Sequence, residues 1–217
     1  ARITVFERSG HVSFANCGLA YYLGGVIGDR DALLLQTPER LADRFRIDVL
    51  VHWNVTAIDT AARTLTAMTP DGARTLEYDE VVLATGAAPI RPDIDGAERM
   101  LLLRSIEDTD ALELALRGLP TGSPVVVTGA GYIGLELAEN LTLLGLAVTL
   151  VQRAHQILGS LDVEMAAPVA DRLLAEGVDL RLNTTLEAVR PGSVTLDDGS
   201  VIDAELVIAA VGVRPES

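Results

Sequence analysis

The sequence predicts an α/β fold made of two related three-layer units, the first of them incomplete. Three observations carry this expectation. Short apolar runs suited to buried parallel strands alternate with helical patterns. Apolar residues make up 49% of the 217-residue chain and aromatics only 4%, as in close-packed layers of Ala, Val and Leu. Two stretches of the chain also match one another in order.

The match is anchored at both ends. Placing Glu7 on Gln152 aligns Ile3-Thr4-Val5-Phe6-Glu7-Arg8 with Val148-Thr149-Leu150-Val151-Gln152-Arg153. Placing Gly86 on Gly212 aligns Val81-Val82-Leu83-Ala84-Thr85-Gly86 with Val207-Ile208-Ala209-Ala210-Val211-Gly212. Between the anchors each half holds a β-rich segment with a turn, Pro70-Asp71-Gly72 in one and Asp197-Asp198-Gly199 in the other. Gly stands in both where a positive φ is needed.

The elements follow in order. Ala1 to Phe6 read as a buried strand at the very start of the chain, and Val81 to Thr85 as another. A chain that starts and stops beside sheet strands suggests an excised region, whose first copy lacks its opening strand, glycine loop and helix. Pro89 to Glu98, rich in Pro, Asp and Gly, reads as a linker. Residues 1–98 are thus expected to form the first domain and 99–217 the second. Ser105 is a fair N-cap for a helix to Arg117.

The second copy is the better preserved. Pro124-Val125-Val126-Val127-Thr128 reads as a buried strand. Gly129-Ala130-Gly131-Tyr132-Ile133-Gly134 follows, then a helical pattern through Leu135, Leu137, Ala138, Leu141 and Leu144 that Gly145 ends, then the strand Ala147 to Val151. Strand, G-x-G-x-x-G loop, helix and strand in this order predict a Rossmann-like dinucleotide-binding unit. Gly129 permits the tight turn, Gly131 lets backbone approach a pyrophosphate, and Gly134 lets the helix pack on the sheet. The helix N-terminus offers N–H groups to the phosphates.

An acid at the tip of the next strand usually receives the adenosine ribose hydroxyls. Gln152 holds that position, followed by Arg153. An amide does not repel a 2′-phosphate and Arg153 can pair with one, but Arg8 holds the same place in the first copy, so NADH and NADPH both stay open. In the first copy the expected acid is present as Glu7.

Composition narrows the partners. The formal net charge is −14 and every one of the 17 basic residues is Arg. Such a chain is a poor ligand for nucleic acid or an anionic membrane, so an anionic ligand must be held locally. No apolar run approaches a membrane span, and one cysteine makes no disulfide framework, which favours the cytoplasm. His11, His52 and His155 lack the spacing of a metal site, and no metal is expected.

That cysteine lies in an insertion after Arg8. Asn16 reads as an N-cap for a short helix from Cys17 to Leu23, stopped by Gly24-Gly25. A thiol in a first helical turn feels the positive end of the dipole, which favours the reactive thiolate; the plain alternative is a buried, inert cysteine.

The whole chain resembles the pyridine nucleotide-disulfide oxidoreductases. Ser13-Phe14-Ala15-Asn16-Cys17-Gly18-Leu19-Ala20-Tyr21-Tyr22 is similar to the active-site segment of the single-cysteine branch, which includes coenzyme A-disulfide reductases and persulfide or polysulfide reductases. NADH oxidases and peroxidases carry a related segment. Further matches are Ala84-Thr85-Gly86, Arg104 before Asp108, Gly129 to Glu136, and Gly212-Val213-Arg214-Pro215. Ala20 departs from the proline common in coenzyme A-disulfide reductases. Tyr22, five positions after Cys17, replaces the second cysteine of the dithiol members.

The resemblance implies two Rossmann-like FAD/NAD(P)-binding three-layer domains, the first incomplete. NAD(P)H would lie in the second copy and FAD against the first, delivering two electrons to sulfur at Cys17. A disulfide or persulfide, coenzyme A disulfide among them, would be the small-molecule substrate. The alternatives are peroxide or oxygen reduction through a sulfenic acid at Cys17, and electron transfer to a protein carrier. The full-length protein would be a homodimer. Tyr132 would gate the nicotinamide pocket. Glu136 would face the nicotinamide–flavin junction or simply favour the helix dipole. Ser13 and Asn16 would hold the coenzyme A or flavin edge, or serve as caps, and Val55 would lie against the flavin adenine or simply fill the core.

Overall fold

A computed structural model describes residues 1–216. They form two compact units. One comprises Ala1–Ala15 and Arg30–Thr85; the other comprises Asn16–Asp29 and the chain from Gly86 onward. The division thus falls between Thr85 and Gly86 rather than at residue 98, and the Cys17 segment, with its helix α1 (Leu19–Leu23), packs with the second unit.

The first unit holds β1 (Ile3–Glu7), β2 (Ser13–Phe14), β3 (Leu34–Gln36), α2 (Pro38–Phe45), β4 (Ile47–Val51), β5 (Asn54–Asp59), β6 (Thr64–Thr69) and β7 (Gly72–Glu77). Strands β1 and β4 pair in parallel, with Glu7 opposite Val51. Strands β5, β6 and β7 form an antiparallel meander, and Gly72 takes the positive φ expected at its turn. Thr37 caps α2 by accepting from the Arg40 N–H, with Pro38 opening the helix.

The strand expected at Val81–Thr85 does not form. Val82 is 87% exposed and Leu83 69%. The internal match explains this. The counterpart of this segment in the second unit takes its ladder partner from the strand that opens that copy. No counterpart of that opening strand exists among the described residues of the first unit. An apolar segment with no strand beside it forms no ladder. The same lack leaves Ile3 of β1 50% exposed.

The second unit contains β8 (Ala87–Pro89), β9 (Leu101–Leu102), α3 (Ile106–Leu116), β10 (Pro124–Thr128), α4 (Tyr132–Leu143), β11 (Ala147–Gln152), α5 (Val163–Ala175), β12 (Asp179–Leu182), β13 (Leu186–Arg190), β14 (Ser193–Leu196), β15 (Val201–Asp203), β16 (Leu206–Ala209) and β17 (Val213–Pro215). Five strands form a parallel sheet in the order β12-β11-β10-β16-β9. Val125, Val126, Val127, Leu150 and Ile208 have no exposed surface, as central parallel strands require. Strands β13, β14 and β15 make an antiparallel layer. Strand β8 pairs with β17, which draws part of the expected linker into this unit.

Helix α3 begins as the sequence predicts. The Ser105 side chain accepts from the Asp108 N–H, while Asp108 Oδ2 accepts from the N–H groups of Arg104 and Ser105, each at 3.0 Å. This is a capping box. Ser105→Ala is expected to lower the unfolding free energy by about 1 kcal/mol. Urea denaturation checks this, and an unchanged midpoint would remove the cap from the stability of the unit.

Candidate functional site: a glycine-loop cleft and the thiol segment beside its helix

Strand β10 delivers the chain directly into the glycine loop. The Gly129 N–H donates to the Val151 carbonyl at 2.8 Å, and the Ala210 N–H donates to Thr128 at the same distance, so both flanking strands hold the turn. The three glycines answer to different constraints. Gly129 has φ +99°, and a Cβ there would strike the Ala210 carbonyl. A Cβ on Gly134 would strike the Gly129 carbonyl oxygen, so α4 sits on the turn at a distance only Gly allows. A Cβ on Gly131 would meet nothing within 4 Å. The loop at Gly131 is bare toward open space, not toward protein.

That space is a cleft of about 890 Å³. Gly129, Gly131, Tyr132, Ile133, Gln152, Arg153 and Gly212 all line it, so the structure brings together the second-copy residues named from sequence. Gly131 is the N-cap of α4 and offers no side chain to the first-turn amides, which leaves those donors to a ligand. The cleft therefore fits a pyrophosphate: glycine at the point of approach, helix amides behind it, and a volume suited to a nucleotide. Tyr132 stands at the cleft 63% exposed.

Two predicted residues of this copy serve beneath or beside the cleft. Gly134 is buried under the loop. Arg104 contributes its backbone N–H to the α3 cap, and its neighbour Leu103 lines the cleft instead. Sequence reasoning missed Leu103, Thr184 and Thr185, which also line it. Thr184 was accessible in principle, because its N–H donates to the Gln152 carbonyl at the tip of β11 and so continues the β11–β12 ladder.

The first-copy residues lie apart from this cleft. The Glu7 carboxylate, at the end of β1, accepts from the Ser9 N–H at 2.7 Å. Arg8 follows it, Ser13 lies in β2 and Val55 in β5. Ala84 and Thr85 are exposed coil and Gly86 opens the second unit. The described residues of the first unit contain no phosphate-cradling glycine loop.

The thiol segment differs from its sequence reading. Asn16–Gly18 form a 3₁₀ turn, and α1 starts only at Leu19 with Gly18 as its N-cap, so Asn16 caps nothing by side chain. Gly18 ends the turn because it, not Asn16, passes directly into the α-helix. Cys17 therefore precedes a helix of five residues, which is too short to supply a sizeable dipole. Cys17 is exposed, contrary to the buried alternative.

What fixes this segment is packing. Leu19 and Ala20 are buried, and Gly24 lies against Asn140 of α4 so closely that a Cβ there would strike the amide. Asn140 donates to the Glu136 carbonyl at 2.7 Å. Tyr22 hydrogen-bonds Glu113 of α3, and with Arg117, the larger influence, holds that carboxyl below its ordinary range. The charge of Glu136, then burial, then Glu139 and Cys17 push the Tyr21 phenol upward. Burial and then Glu139 push Glu136 itself upward. The charge of Glu136 thus acts on Tyr21, a coupling the sequence did not suggest because the two are far apart along the chain.

A parallel sheet whose central strand runs into a bare glycine loop, with an exposed thiol in a segment packed with the same unit, is the architecture of a dinucleotide-binding α/β domain. The chain belongs to the pyridine nucleotide-disulphide oxidoreductase family, whose profile matches residues 1–217. That family uses FAD and NAD(P)H. A coenzyme A disulfide reductase of Staphylococcus aureus is 34% identical over 217 residues, covering 99% of this chain and 49% of that protein. The reduced Bacillus anthracis CoADR-RHD structure superimposes with a TM-score of 0.94 at 38% identity, covering 99% of this chain and 40% of that one. An NAD-dependent persulfide reductase from A. fulgidus gives 0.92 at 32%, covering 100% and 42%. The chain spans about half the length, or less, of these relatives. Among the described residues no helix is long and apolar enough to cross a membrane.

Proposed function

We propose that the whole protein uses NAD(P)H and FAD to reduce coenzyme A disulfide, or a persulfide or polysulfide, through Cys17 as its single redox thiol. The observation that carries this is the exposed Cys17, in the segment whose Gly24 lies against Asn140 of the helix that opens at the glycine loop. The names of the relatives support the substrate class.

The family resemblance, with the lining of the cleft, supports the following roles. Gly131, Tyr132 and Ile133 hold the pyrophosphate through backbone amides, Gln152 and Arg153 meet the adenosine end, Gly212 closes the floor, and Tyr132 covers the nicotinamide site. Glu7 and Val55 receive the adenosine of the flavin, with Ser13, Asn16, Ala84, Thr85 and Gly86 along its length. When bound, the two cofactors supply an electron pair. The Cys17 thiolate attacks one sulfur of R–S–S–R, forming Cys17–S–S–R and expelling RS⁻, which takes a proton. Reduction of that bond by two electrons, with uptake of one proton, would return the Cys17 thiolate and release a second thiol, RSH.

Intact-mass measurement of the whole protein as isolated tests this chemistry. The expected result is a coenzyme A or persulfide adduct at Cys17 that NAD(P)H removes. A Cys17 carrying only added oxygen, again removed by NAD(P)H, would replace sulfur reduction by the sulfenic-acid route.

A further inference from the structure

We infer that the cleft selects the 2′-phosphorylated dinucleotide: Arg153 pairs with the 2′-phosphate, and Gln152 removes the acid that would repel it. The inference rests on the reading of the cleft as a dinucleotide site and names which of the two nicotinamide cofactors that site takes.

The tip of β11 is where the adenosine ribose is recognised in this architecture. A carboxylate there accepts from both ribose hydroxyls and repels any phosphate placed on one of them. Gln152 is neutral, and the structure commits its amide to the protein. Its Oε1 lies 3.5 Å from the Ala130 N–H of the glycine loop, and its Nε2 donates to the Gln156 carbonyl at 3.3 Å. The side chain thus braces the loop against the segment after β11 and presents no anionic acceptor to the ribose.

Arg153 is the next residue, exposed, and it lines the same cleft. It makes no ion pair among the described residues, although the chain holds 31 acids against 17 arginines. Elsewhere in this unit Arg117, Arg172, Arg181 and Arg190 each meet a carboxylate within 3.0 Å. The other charged residue lining the cleft is Asp93, which belongs to the segment following β8 rather than to the tip of β11. An unpaired guanidinium beside a neutral amide suits a phosphate, because its planar fork matches phosphate oxygens.

The test titrates the chain with adenosine 2′,5′-bisphosphate and with 5′-AMP by calorimetry. The expected result is at least ~10-fold tighter binding of the bisphosphate, the scale of one charge-assisted contact. Arg153→Ala should collapse that ratio to about 2-fold or less, and Gln152→Glu should invert it in favour of 5′-AMP by a like-charge contact. Both side chains are at the surface of the cleft, and each variant's ratio is read within one preparation, so a loss of folded protein cancels. Wild-type binding of 5′-AMP as tight as the bisphosphate, or a ratio that Arg153→Ala leaves unchanged, would overturn the inference while leaving the dinucleotide site standing. Binding of neither nucleotide would instead overturn the reading of the cleft, and this inference with it.

Discussion

Replacing Gly131 with valine is expected to leave the fold intact and to weaken dinucleotide binding by at least ~100-fold, since it sets a side chain where the pyrophosphate must approach. The two halves of this expectation come from the same residue. Gly131 has φ −82° and ψ −172°, an extended conformation that valine adopts readily, and its added Cβ meets nothing within 4 Å. Its neighbours in the motif behave oppositely. Gly129→Ala forces a side chain onto φ +99° and into the Ala210 carbonyl, and Gly134→Ala drives α4 off the loop. Those two variants should lose stability as well as binding. A thermal melt beside a calorimetric titration separates the three. If Gly131→Val binds NADH and NADPH as the parent does, the bare face of the loop is not the phosphate site.

How much of this was legible in the sequence depends on where each element finds its partners. The strand, loop, helix and strand from Pro124 to Gln152 are specified locally, by a run of valines, glycines at fixed spacing and a helical repeat, and all formed as predicted. The Ser105 cap was equally local. Val81–Thr85 failed for a non-local reason: its composition is that of a strand, but a strand needs a neighbour, and the described part of the first unit has none to give. The Cys17 helix was misplaced by two residues because Asn16 and Gly18 can each begin a helix. Tertiary contacts of Gly24 and Tyr21 with α4, invisible to any window of sequence, decided which. The same contacts moved the thiol from the first unit, where its position in the chain put it, to the second. Glu136, left between a redox role and a dipole role, became coupled in charge to Tyr21 only through that packing.

In the whole protein, Cys17→Ser is expected to lower turnover of coenzyme A disulfide or persulfide by at least ~1,000-fold while NAD(P)H binding stays at its parental level. The split follows from the geometry. Cys17 is exposed and precedes α1, whereas the cleft is lined from the glycine loop, β11 and the β16–β17 connection. Serine matches the thiol in size, so the packing of Leu19, Ala20 and Gly24 is untouched and the loss reports sulfur chemistry alone. A hydroxyl cannot form the mixed disulfide, nor leave from it at neutral pH. Tyr21→Phe supplies the companion measurement. It keeps the ring and removes the hydroxyl whose charge is coupled to Glu136, so it should shift the pH profile of turnover more than it changes the level of NAD(P)H binding. Parental turnover in Cys17→Ser would reduce Cys17 to a surface residue. The remaining reading would then be a flavoprotein that hands its electrons to a protein carrier.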